Sequence, residues 1–295
     1  MTYPLVARSY ATAMGRMEAA VVDPSSGRSS LALLGIHGTP GDYRQARVFA
    51  EDFADRVTVI LPSRPGYGRS PLSSGRTPVQ QAAAYVALLD ELGVERAVVV
   101  GISGGGPSAY ALAAHHPNRC AVLVLCCAAA ASQVVLPKGT ARLASIPGLW
   151  HAITCVAKPI ARRRLRDVGR VEREMVEALF PAELRRLEDD PRLREDLLQF
   201  AADRVEVVSG RGMRNDMLRA LTPRAVDALG TVDGLRVPTV IVHGTADEVV
   251  AMNHAEWHHS AIEHSQLVAL EGFGHALPAT ARQELGRVLM RALEG

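Results

Sequence analysis

The sequence predicts an α/β protein: a doubly wound, mostly parallel sheet with a helical segment inserted into it. Three observations carry the prediction. Short apolar runs alternate with helical stretches up to residue 131 and again from residue 234 onward. One run, CAVLVLCC at 120–127, is continuously apolar, as a strand covered by helices on both faces must be. The roughly one hundred residues between are rich in Arg, Glu and Leu at helical spacing and contain no strand-like run. The expected division is therefore a catalytic core of 1–131 with 234–295, and a helical cap, or lid, of 132–233.

Strand-like runs open the chain at 15–23 and 30–36, and the second feeds the turn-rich HGTPG. A helix is predicted over 43–55, then a strand at 57–61 and a second glycine-rich turn, PSRPGYGRS, at 62–70. The next helix is punctuated at both ends. Thr77 is its N-cap, Pro78 its first residue and Gly93 its stop. A β-branched run at 97–100 enters GISGGGP, and helical composition over 108–116 ends at Pro117. After the insertion come a strand at 238–243, a helix near 252–262, a strand at 266–271 and a closing helix over 279–293.

Bulk composition excludes several classes of partner. Lys and Arg number 33 against 31 Asp and Glu, a net charge of +2 that is too small to draw the molecule to a nucleic acid or an anionic membrane. A mean hydropathy of +0.07 is that of a globular enzyme. The longest apolar run, 120–131, falls well short of the roughly 20 residues a membrane span needs. The first twenty residues lack a basic start followed by an apolar stretch, so the expected location is cytoplasmic. Cys120, Cys126, Cys127 and Cys155 show neither a disulfide framework nor metal-ligand spacing and read as reduced, buried thiols.

The chemistry is concentrated in GISGG. Gly101-Ile102-Ser103-Gly104-Gly105 fits GxSxG between a strand and a helix, where so tight a turn leaves no room for side chains two positions to either side of the serine. Ser103 would then stand at a helix N-terminus whose backbone donors favour developing negative charge. A phosphate cradle is the competing reading, weakened because no GK[ST] follows. A serine hydroxyl needs a base, and a base needs an orienting acid. Of ten histidines, His275 in EGFGHALP lies in a turn directly after a late strand. Asp247, in VIVHGTADEVV, ends another, with Glu248 its adjacent competitor. The region after 120–127 reads AAAAS and offers no carboxylate. The oxyanion donors expected are the backbone N–H groups of Gly104 and, from HGTPG, Thr39. His254, His258, His259 and His264 fall on or near one helix, where solvation or packing is expected. The His254/His258 pair has the i, i+4 spacing of metal ligands but no evident third partner.

Five segments, HGTPG, SRPGYGRS, GISGGGP, HGTADEVV and GFGHALP, occur in that order and span nearly the whole chain. On them the chain resembles the α/β-hydrolase superfamily, specifically serine-nucleophile members with a helical cap. The resemblance implies an eight-stranded sheet, the order Ser103, Asp247, His275 for nucleophile, acid and base, an acyl-enzyme intermediate, and no metal or organic cofactor. Members with such a triad include carboxylesterases, lipases, lactonases, peptidases and carbon–carbon bond hydrolases. Dehalogenases and epoxide hydrolases place Asp at the elbow, which Ser103 argues against. Proline-iminopeptidase relatives typically carry tryptophan where this chain has Gly104. The expected activity is hydrolysis of a small carboxylic ester or lactone; an amidase or peptidase, or a receptor of the same fold with little turnover, are the alternatives. A homodimer is left open.

Two expectations concern the cap. Lys158, Arg162, Arg163, Arg164, Arg166, Arg170 and Arg173 form its most polarised stretch, read as a solvated helix face or as an attraction for anionic substrates. Trp150, Phe180, Met213 and Met217 are candidates to wall an acyl pocket, against the commoner role of such residues in packing.

Overall fold

The computed structural model describes residues 5–130, 145–146, 148–164, 197, 210–222 and 235–294, with part of the side chains in 150–164. The sheet has eight strands: β1 (Ala7–Thr12), β2 (Gly15–Val22), β3 (Leu31–Ile36), β4 (Thr58–Pro62), β5 (Arg96–Ile102), β6 (Cys120–Cys126), β7 (Thr239–Gly244) and β8 (Gln266–Leu270). Their spatial order is β1-β2-β4-β3-β5-β6-β7-β8. β1 pairs with β2 and β2 with β4 antiparallel, and every later pairing is parallel.

β1 leaves no signature in the sequence. ARSYAT has neither a continuous apolar run nor a clean alternation, because this edge strand is half-exposed along its length. Its place is set by the short turn to β2, which Gly15 permits with φ +108°.

Alternation on the strands divides the core between two faces. Ala32, Leu34 and Ile36 of β3 and Ala97 and Val99 of β5 pack with α2 (Pro78–Glu91) and α3 (Gly106–His115). Leu33, Val98, Val100 and Ile102 face the other way, onto α1 (Arg47–Phe53) and the C-terminal helix. Two buried faces are what a doubly wound sheet requires. Thr77 caps α2 through a full capping box, its side chain accepting from Gln80 N while the Gln80 side chain accepts from Thr77 N.

Two helices differ from expectation. The stretch 43–55 is a 3₁₀ turn, Tyr43–Ala46, followed by α1; Asp42 caps the turn by accepting from Arg44 N. The closing helix is two helices, Leu277–Thr280 and Arg282–Glu294, separated at Ala281, whose φ of −115° and ψ of 40° leave the helical region.

Between β6 and β7 the described elements are helical: α4 (Leu149–Arg164), then α5 (Gly210–Asn215), which runs into a π-helical turn, Asp216–Ala220. Phe180, Arg166, Arg170 and Arg173, and most of the cap expected over 132–233, lie outside the described residues. Among the described residues no helix is long and apolar enough to cross a membrane. Cys120, Cys126 and Cys127 are buried, but Cys155 is exposed on α4, contrary to the expectation of burial.

Register sets the strand ends in a row. Ile36 pairs with Gly101, Ile102 with Cys126, Cys126 with Val242, and Gly244 with Leu270. The loops after β3, β5, β6, β7 and β8 therefore leave one carboxyl edge, and β3 and β5 flank the point where the winding reverses. Open α/β sheets bind ligands at such a point.

Candidate active site

β5 ends at Ile102, and the chain passes through a 3₁₀ turn, Ser103–Gly105, directly into α3. Ser103 takes φ +49°, a left-handed conformation that costs a serine on the order of 1–3 kcal/mol. The surroundings enforce it. A Cβ on Gly101 would lie 2.6 Å from Ala109 Cβ, and one on Gly105 would lie 2.6 Å from the carbonyl oxygens of Ile36 and His37. The Ser103 carbonyl accepts from Ala129 N at 2.9 Å, which ties the turn to the loop after β6.

The β3 loop closes over the same serine. A Cβ on Gly38 would sit 2.9 Å from Ser103 Cβ, and one on Gly104 would sit 2.4 Å from Thr39 Oγ1 and 3.3 Å from Thr39 N. Only glycine at both positions lets HGTPG rest on the elbow. The backbone of Thr39 is thereby brought against Gly104, the two residues expected to supply oxyanion donors.

The side chains of Ser103, Asp247 and His275, far apart in sequence, meet at this edge. His275 Nε2 is 3.0 Å from Ser103 Oγ, and Nδ1 is 2.8 Å from Asp247 Oδ2. All three residues are buried. With its Nδ1 proton donated to the carboxylate, the imidazole offers Nε2 as the acceptor for the serine hydroxyl. Asp247 Oδ1 accepts from Val249 N at 2.9 Å and Val250 N at 2.8 Å. Burial works to raise the Asp247 carboxyl, but the His275 hydrogen bond and charge and the Val250 amide hold it below the usual carboxylate range. Glu248 is exposed, so the carboxylate on His275 is that of Asp247 alone of the two.

The turns that carry acid and base are laced together. Ala246 N donates to Phe273 O, Thr245 N donates to Leu270 O, and Gly272 N donates to the Thr245 hydroxyl. His243, not singled out in the sequence, fixes the same loop: its Nε2 is 2.7 Å from Val250 O and 3.7 Å from Asp247 Oδ2. The signal available was its position at the strand end, two residues before the turn.

Cys127 is a second unforeseen neighbour. It takes φ +44°, and its thiol lies 3.9 Å from Gly274 O. With Asp247 and His275 it forms the single group of three candidate metal ligands among the described residues, their ligand atoms all within 4.8 Å. A hydrogen bond with Cys126, then burial, pushes the Cys127 thiol well up. Met213 and Met217 are half-buried on the α5 segment, and the Trp150 side chain lies outside the described residues.

A family model described as the alpha/beta hydrolase family matches residues 33–287. The chain belongs to that family. This alpha/beta hydrolase is 27% identical to the uncharacterized hydrolase YcgS of Bacillus subtilis over 271 residues, which cover 89% of the chain and 91% of that relative. It is 30% identical to the uncharacterized protein Rv2715 of Mycobacterium tuberculosis over 84% of the chain and 70% of that relative. Among solved structures, an alpha/beta hydrolase fold protein from Nakamurella multipartita matches with a TM-score of 0.66 and 27% identity, covering 97% of this chain and 99% of that one.

The histidines of the helix Asn253–Ala261 are divided in this alpha/beta hydrolase. His259 and the nearby His264 are exposed, whereas His254 and His258 are buried, and His254 Nδ1 accepts from Ala130 N at 3.0 Å. Burial pushes His258 down to about 3. Below pH 6.5 the unfolded chain binds this proton and the folded one does not, so stability falls with pH through the window from about 6.5 to about 3. Each such histidine contributes a slope of about 1.4 kcal/mol per pH unit. Urea denaturation at pH 7, 6 and 5 is expected to show the His258→Phe variant losing stability less steeply than the native chain by about that amount. Equal slopes would refute the assignment.

Proposed function

We propose that this alpha/beta hydrolase is a serine esterase or lactonase acting through an acyl-enzyme. The observation that carries the reading is the relay of 3.0 Å from Ser103 Oγ to His275 Nε2 and 2.8 Å from His275 Nδ1 to Asp247. Ser103 attacks the substrate carbonyl as its proton passes to His275, and Asp247 stabilises the imidazolium formed. The tetrahedral oxyanion is held by the backbone N–H groups of Thr39 and Gly104. The imidazolium returns its proton to the departing alkoxide, leaving an acyl-serine; in a lactone that alkoxide stays tethered to the acyl group. Water deprotonated by His275 then attacks the ester so formed, and Ser103 leaves with the proton. An ester or lactone asks least of these groups, since an alkoxide leaves the tetrahedral intermediate more readily than an amine does. The segment between β6 and β7 serves as the cap over the edge.

The test is labelling by a fluorophosphonate, which reports an activated serine without knowledge of the substrate. Native protein is expected to label and Ser103→Ala is not. Folded native protein that resists the reagent would overturn the reading and leave a non-catalytic binding protein. A panel of p-nitrophenyl esters, lactones and matched amides then assigns the class, with turnover of the amide as fast as the ester being the result against an esterase.

A further inference from the structure

Thr39 is held by its side chain as well as placed by its backbone. Its hydroxyl donates to Asp216 Oδ2 at 2.6 Å and accepts from Arg64 Nη2 at 2.7 Å. The same guanidinium nitrogen donates to Gly38 O at 3.2 Å and to Asp216 Oδ2 at 2.7 Å, and Nη1 donates to Asp216 Oδ1 at 3.3 Å. The Tyr67 hydroxyl adds a bond to Asp216 Oδ2 at 2.6 Å, and its ring centroid lies 5.0 Å from the guanidinium carbon. One carboxylate oxygen thus accepts from three side chains on two segments.

Arg64 and Tyr67 are fully buried and Asp216 is 1% exposed. Burial alone would depress the Arg64 guanidinium, yet the Asp216 charge holds it above its ordinary value. A desolvated ion pair is rarely the most stable way to join two surfaces, because apolar packing of the same volume does as well or better. What such a pair supplies is direction, and besides the Tyr67 hydroxyl the groups it directs belong to the β3 loop: the Thr39 hydroxyl and the Gly38 carbonyl. Asp216 is also the first residue of a π-helical turn, a rare conformation that is frequent at functional sites.

We propose that Asp216 and Arg64 are positioning residues for the oxyanion loop. They fix the Thr39 hydroxyl and the carbonyl before it, and so set the direction of the Thr39 N–H. Asp216 comes from the segment between β6 and β7, so that segment must be seated for the hole to be formed. The inference rests on the reading of Thr39 and Gly104 as oxyanion donors. Because the oxyanion exists only along the reaction path, loss of alignment lowers kcat and leaves KM nearly unchanged.

Thr39→Val tests this most directly, since it keeps the backbone N–H and the shape of the side chain and leaves the Arg64–Asp216 pair intact. Its kcat on a p-nitrophenyl ester is expected to fall by about 10- to 100-fold, short of or equal to the loss of one whole oxyanion donor. Affinity for phenylboronic acid, which becomes tetrahedral on the serine, should fall by a similar factor. Thr39→Ser, which restores the hydroxyl, should recover most of the rate. Asp216→Asn should behave as Thr39→Val, and the double variant should be no worse than the more damaged single. Thr39→Val with native kcat and native boronate affinity overturns the proposal, and so does a loss that appears in KM alone. Fluorophosphonate labelling separates the two levels. Unlabelled native protein sinks the hydrolase reading and this inference with it, whereas labelled native protein with a fully active Thr39→Val sinks only the inference.

Discussion

His275→Ala is expected to lower ester turnover by on the order of 10⁴- to 10⁶-fold, with KM changed little. The size follows from what the imidazole does. A serine hydroxyl carries almost no alkoxide at neutral pH, and His275 Nε2, 3.0 Å from Ser103 Oγ, is the acceptor in place for its proton. Without it the oxyanion donors proposed above would still act, which sets the floor. Ser103→Ala combined with His275→Ala should therefore be no slower than either alone, because the two groups act as one unit. Stopped or steady-state assays on a p-nitrophenyl ester measure this. A fall of less than tenfold for His275→Ala would mean that another group takes the proton.

Gly244→Ala is expected to damage both fold and chemistry through a single methyl group. A Cβ at that position would lie 2.2 Å from Phe273 O, 2.6 Å from Phe273 C and 3.0 Å from Gly274 O. All three are backbone atoms, and the first already accepts from Ala246 N. The only relief is to push the loop bearing His275 away from the turn bearing Asp247. Overpacking of this kind costs on the order of 3 kcal/mol, and a displacement of about 1 Å at a reacting group can cost on the order of 100-fold in rate. Gly286→Ala is the control, since a Cβ there meets nothing within 4 Å on the helix Arg282–Glu294. It should stabilise the protein by up to about 1 kcal/mol and leave turnover alone. Equal behaviour of the two variants in urea titration and assay would contradict this account.

The contrast between these glycines shows which features a sequence displays. Where local chemistry dictates structure, residues announce it: Thr77, Pro78 and Gly93 bracket α2, and GISGG fits only a turn too tight for side chains. The positions of Ser103, Asp247 and His275 were readable for the same reason, each lying just past an apolar run. β1 was silent because ARSYAT is held by pairing with β2 rather than by a buried face of its own. Arg64 and Asp216 were silent because their partnership closes 152 residues of chain, and each alone looks like an ordinary surface charge. The four histidines on or near one helix were readable as solvated or packed but not sorted: burial takes His254 and His258 and leaves His259 and His264 outside, a division only the assembled fold decides. Pairings that depend on the assembled fold leave no short-range trace.

The margin of the sheet has a consequence for how this hydrolase would wear out. β8 is one of the two outermost strands, half-open to solvent along its length, and the loop it releases carries His275 across to a serine 172 residues earlier. Fraying begins at such borders, in units smaller than the whole molecule. Warming should therefore disarm the protein before it melts: the β8 flank loosens, turnover fades, and the interior around β3, β5 and β6 keeps its circular dichroism several degrees longer.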